Sequence, residues 1–127
     1  MEKTNKNFLE LVIEKEHVRI LKNIIESFCS KKSCKIIFDS SNNNDKKCNI
    51  KLLPFDEKGV YNTKIEIQAD KLRYFICEMP TASIIVDSQL LVDRFRKITT
   101  NDSVIIYMKN TKNQLFIYNL DDNNNHY

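Results

Sequence analysis

Arg94, Arg96 and Lys97 fall within four positions of one another in the stretch LLVDRFRKITTNDSVIIYM, and Arg19 and Lys22 form a second, smaller basic cluster. Side chains that stay cationic at neutral pH can neutralise phosphates, so such clusters suit a sequence-blind contact with nucleic acid. They equally suit the solvated face of a surface helix, because Lys and Arg favour the last helical turn, where the macrodipole is negative.

Other chemistry is sparse. Gly59 is the single glycine, which rules out a P-loop and a G-x-G-x-x-G turn, since both need glycine where the backbone approaches phosphate. His17 and His126 are the two histidines, and neither has a Ser, Cys or acid arrangement around it that would make a nucleophile and base pair. The acidic pairs Asp56/Glu57 and Asp121/Asp122 lie in loop-like sequence and read as solvated turns rather than a general acid and base. Cys29, Cys34, Cys48 and Cys77 are irregularly spaced, with no C-x-x-C pair, and read as buried free thiols rather than a zinc site. Catalysis, a metal and a cofactor are therefore not expected. Tyr74, Phe75, Tyr107, Phe116 and Tyr118 could stack nucleobases, but all lie in alternating strands and are assigned to core or sheet-face packing.

The elements that must carry these residues follow from periodicity. FLELVIE, from Phe8 to Glu14, alternates as a strand, with Leu9, Leu11 and Ile13 on one face. His17 to Cys29 changes to helical spacing, with Val18, Leu21, Ile25 and Phe28 as the apolar stripe. CKIIFDS, CNIKLLPF, TKIEIQA, LRYFICE and ASIIVD read as strands, with a turn at Asp70 and Lys71 that predicts a hairpin between the third and fourth of these. Asp87 or Ser88 can cap a second helix, running to Ile98, whose buried stripe is Leu91, Phe95 and Ile98. SVIIYM and QLFIYNL then pair across KNTKN. This order predicts an α+β domain: an antiparallel sheet with two helices on one face.

At 127 residues and 42% hydrophobic, the chain has room for one domain. It divides into a polar N-terminal segment (1–7), a domain (8–120) and a polar tail (121–127). The net charge of +3 is modest, but the two predicted helix regions, His17–Lys32 and Ser88–Ile98, hold all the excess positive charge. The N-terminus has no apolar signal core and no run is long enough to span a bilayer, so an intracellular protein is expected.

Two stretches carry a family resemblance. NIKLLPFDEKGVYNTKIEIQADKLRYFIC, Asn49 to Cys77, and SIIVDSQLLVDRFRKITTNDSVIIYMKNTKNQLFIYNL, ending at Leu120, resemble in succession the first domain of sliding clamps related to proliferating cell nuclear antigen. In that family, helices line a ring through which duplex DNA passes. The resemblance implies a DNA-clamp-like half subunit that serves as a non-catalytic replication or repair accessory, a polymerase processivity factor, at a nuclear or other site of DNA replication. It implies duplex DNA contacts at Arg19, Lys22, Arg94, Arg96 and Lys97. The turn Asp56, Glu57, Lys58, Gly59 and Val60 matches a client-contacting part, with a DNA polymerase, a clamp loader or another clamp-like chain as partner. The resemblance ends near Leu120, before the strands that complete the family's first domain, so the isolated chain is expected to be a monomer or weak dimer. The alternative is a divergent half-clamp that acts as a protein-interaction module without DNA binding.

Overall fold

A computed structural model describes residues 8–27, 32–39, 49–55, 65–68, 72–78, 81–109, 114–121, 123 and 125. The elements run β1 (Leu9–Ile13), α1 (Lys15–Glu26), β2 (Ser33–Asp39), β3 (Asn49–Phe55), β4 (Ile65–Gln68), β5 (Leu72–Cys77), β6 (Thr81–Asp87), α2 (Ser88–Arg96), β7 (Ser103–Met108) and β8 (Phe116–Leu120). The α+β class and the two helices are as the sequence predicts.

The antiparallel strands are divided between two four-stranded sheets, ordered β5-β1-β7-β8 and β4-β3-β2-β6. This overturns the expected hairpin. β4 pairs with β3 from Asn49↔Gln68 to Leu52↔Ile65, whereas β5 pairs with β1 in the other sheet. The reason lies in β1. Four of its five residues are buried, so both of its edges need a neighbouring strand, and β5 and β7 supply them.

One apolar core joins the helices to both sheets. Leu9, Leu11 and Ile13 from β1, Val104 and Ile106 from β7, and Ile36 and Phe38 from β2 meet Val18, Leu21 and Ile25 of α1 and Leu91, Val92 and Phe95 of α2. A cavity of about 30 Å³ remains among them, lined by Leu21, Ile25, Phe38, Leu91, Phe95 and other apolar side chains. Buried Cys34 belongs to this core, and desolvation pushes its thiol up to about 12, so it is an inert packing group. Cys77 is half-buried, while Cys29, Cys48 and Phe28 lie outside the described residues.

The opposite face of the β1 sheet carries a second cluster of Val12, Ile105 and Leu120 beneath Tyr74, Tyr107 and Tyr118. Strand register places Tyr74, Val12, Ile105 and Tyr118 in one row and Ile76, Glu10, Tyr107 and Phe116 in the next. Tyr107 stacks on Phe116 with centroids 5.0 Å apart, and the Tyr74 hydroxyl donates to Glu10. Phe75 instead faces the main core, with its ring 6.4 Å from that of Phe38.

Beside this face, Arg73 grips Glu14 through Nη2 at 2.8 Å and Nε at 3.2 Å, and Ser103 Oγ donates to the same carboxylate at 3.1 Å. The Arg73 hydrogen bond outweighs desolvation and holds the Glu14 carboxyl below its usual range. A depressed carboxyl contributes stability above its unfolded value, about pH 4.3, and loses it as pH falls through the folded value. The stability gap between the parent and Glu14→Gln should therefore narrow as pH is lowered from about 6 to about 3. Chemical denaturation across that range measures it, and a constant gap would mean that the ion pair contributes nothing.

Candidate nucleic-acid interface

α1 begins two residues earlier than its periodicity predicts. Glu14 stays extended as N-cap without a side-chain cap, and the His17 amide donates to the Glu14 carbonyl at 2.9 Å. At the other end Ser27 caps the helix, its amide donating to the Asn23 and Ile24 carbonyls. These boundaries alter the charge pattern: α1 holds Lys15, Arg19 and Lys22 against Glu16 and Glu26, a net of only +1. Lys31 lies outside the described residues and Lys32 lies beyond the helix. The strong positive bias expected of the first helix region is thus not a property of the helix itself.

α2 is capped by Asp87, whose Oδ1 accepts from the Leu90 amide at 3.1 Å. Ser88 is fully buried next to it, and its Oγ has no hydrogen-bond partner among the described residues. Buried Leu91, Val92 and Phe95 fix the rotation of the helix and thereby the direction of its cations.

The cations of α2 do not form one cluster. Arg94 is half-buried and turns toward the edge strand β8, where Nε donates to the Ile117 carbonyl at 2.6 Å and the guanidinium lies 4.7 Å from the Tyr118 ring centroid. Arg96 turns the other way, to α1, where Nε donates to Glu26 Oε1 at 3.1 Å and Nη2 to Oε2. Asp93 Oδ1 lies 3.6 Å from Arg96 Nη1. The Arg96 hydrogen bond is the main cause that holds the Glu26 carboxyl below its usual range.

Lys22 also crosses to α2, where its ammonium donates to the Ile98 carbonyl at the helix C-terminal end, a favourable position for a cation. Arg19 and Lys97 are exposed, and no hydrogen bond or ion pair holds either side chain among the described residues. Of the five sequence-predicted cations, these two are therefore presented outward and three are engaged within the protein. Asp56, Glu57, Lys58, Gly59 and Val60 lie outside the described residues. No group of His, Cys, Asp and Glu side chains among the described residues could hold a metal ion. No helix there is long and apolar enough to cross a membrane.

The sequence contains no signal for one polar side chain that shapes this region. Asn119 in β8 is 2% exposed. Its Oδ1 accepts from the Thr99 amide at 2.9 Å, and its Nδ2 donates to the Thr99 carbonyl at 3.0 Å and the Ser103 carbonyl at 3.4 Å. It fastens the segment that leaves α2 to the edge strand.

Two antiparallel sheets with two helices packed between strands of both define a sliding-clamp-like fold. Proliferating cell nuclear antigen from Thermococcus kodakaraensis superposes with a TM-score of 0.63 over 95% of this chain and 45% of that one, at 14% identity. The Entamoeba histolytica protein gives 0.60 over 91% and 47%, at 13% identity. This chain thus spans less than half the length of the clamps it resembles. A 76-residue stretch, 59% of this chain and 16% of the other, is 29% identical to a probable DNA polymerase sliding clamp of Acanthamoeba polyphaga mimivirus. No family model matches the sequence. Along its whole length the chain is 48% identical to uncharacterized protein L52 of the same virus and covers 91% of it, and it belongs to one family with that protein.

Proposed function

We propose that the chain is a non-catalytic, sliding-clamp-like accessory factor of DNA replication or repair, and that residues 8–120 contact duplex DNA through the two helices. The observation that carries this reading is the clamp-like superposition over 95% of the chain. The segment shared with a probable DNA polymerase sliding clamp supports the same class.

The task of the helices is to neutralise phosphates without reading bases, as a factor that slides or hops on DNA requires. Arg19 and Lys97, exposed and held by no partner among the described residues, would meet phosphate directly, whereas Lys22, Arg94 and Arg96 would do so only once released from their present partners. Polymerase, a clamp loader or another clamp-like chain would be the protein partner, with Asp56 to Val60 as contact, at a site of DNA replication.

The chain should bind duplex DNA with a dissociation constant on the order of 10⁻⁴ to 10⁻⁶ M near physiological salt. Reversing both exposed cations in Arg19→Glu/Lys97→Glu should flatten the salt dependence by about two log units per decade of salt, since each lost phosphate contact removes about 0.9. Fluorescence anisotropy on a labelled duplex measures both quantities. An unchanged slope would remove Arg19 and Lys97 from the interface.

A second reading, a half-clamp that acts as a protein-interaction module, is favoured by one observation. Ile20 on α1 is 59% exposed and Leu90 on α2 is 70% exposed, and an apolar side chain gains nothing from phosphate but gains about 25 cal/mol per Å² when a protein partner buries it. Failure of the parent chain to bind duplex DNA even in low salt would select this reading.

A further inference from the structure

We infer that Glu26 competes with DNA phosphate for Arg96, so that the seam between α1 and α2 is a latched phosphate site. The inference rests on the reading that the helices meet duplex DNA, and it assigns a regulator to that contact.

The Arg96 guanidinium presents two N–H groups to the two oxygens of Glu26. This fork is the same arrangement that arginine offers to a phosphate, so one ligand excludes the other. The two side chains are 52% and 48% exposed, which leaves the pair open to a solute anion. Pairs this exposed are worth little, so a second anion can compete.

The groups that face Arg96 explain why the competition favours the closed state. Asp93 adds a second carboxylate from α2 itself. From α1, Lys22 lies one turn before Glu26 but directs its ammonium to the Ile98 carbonyl. The positive charge of Arg96 is thus answered by two acids within the protein, and in the parent chain it is withheld from DNA.

Duplex binding by the full chain, followed by anisotropy from about 50 to about 200 mM salt, tests the latch. Glu26→Gln should tighten binding on the order of tenfold at the low end and steepen the salt slope by about 0.9, the share of one added phosphate contact. Glu16→Gln removes another exposed acid from the first turn of the same helix and should change affinity less than about twofold. Arg96→Gln should change the parent less than about twofold, yet abolish the gain when combined with Glu26→Gln.

Equal gains from Glu26→Gln and Glu16→Gln would overturn the inference, because net charge alone would then explain them. So would an equal loss from Arg96→Gln in both backgrounds, which would place Arg96 on phosphate already. In either case, salt-dependent binding that is sensitive to Arg19 and Lys97 would leave the DNA reading standing. If neither the parent nor Glu26→Gln binds in low salt, the reading and the latch fall together.

Discussion

Phe95→Ala should cost roughly 3–5 kcal/mol of stability, the usual range when a large aromatic is removed from a packed core. Phe95 is 3% exposed, and its ring belongs to the cluster shared by both helices and both sheets. It also lines the existing cavity of about 30 Å³, so truncation would enlarge a void that the surrounding strands have not closed. How far the surrounding side chains relax into that space sets where in the range the cost falls. Urea unfolding measures the cost, and a loss below about 0.5 kcal/mol would mean that α2 does not present Phe95 to the core.

Asn119→Ala should cost roughly 2–3 kcal/mol, although it removes only one small amide from an edge strand. The side chain serves both backbone polar groups of Thr99 and the Ser103 carbonyl, and polar groups left without partners in a low-dielectric site cost about 1–3 kcal/mol. The damage should begin locally. Thr99 amide exchange should rise well before global unfolding, because this amide loses its acceptor while the apolar core remains intact. Protection of Thr99 equal to that in the parent would show that Asn119 does not fasten the segment after α2.

Much of the fold was legible because periodicity reports on burial. Leu9, Leu11 and Ile13 at alternate positions gave β1, and Leu91, Phe95 and Ile98 gave the buried side of α2. Pairing was not legible in the same way. TKIEIQA and LRYFICE each read correctly as strands, but alternation identifies a face and not a neighbour, so the two strands were joined in a hairpin when they belong to different sheets.

The basic site was legible in composition and misleading in space. Arg94 and Arg96 are neighbours in the sequence, yet a spacing of two sends side chains to nearly opposite sides of a helix, and the structure directs one to β8 and the other to α1. The rule was available in the sequence; the partners were not, because Ile117 and Glu26 are distant along the chain. Asn119 gave no signal, since a lone Asn in a strand reads only as a poor β-former.

The division of strands between the sheets has a mechanical consequence. α1 is entered from β1 in one sheet and left toward β2 in the other, while α2 is entered from β6 in the second sheet and left toward β7 in the first. Each helix is therefore a strap anchored at both ends to different plates, and the two straps run in opposite senses. A load applied to either helix, such as the drag of a ligand moving across it, is shared by both plates. The hydrogen-bonded ladders β1–β7 and β2–β6 then hold the anchoring strands of one strap directly against those of the other.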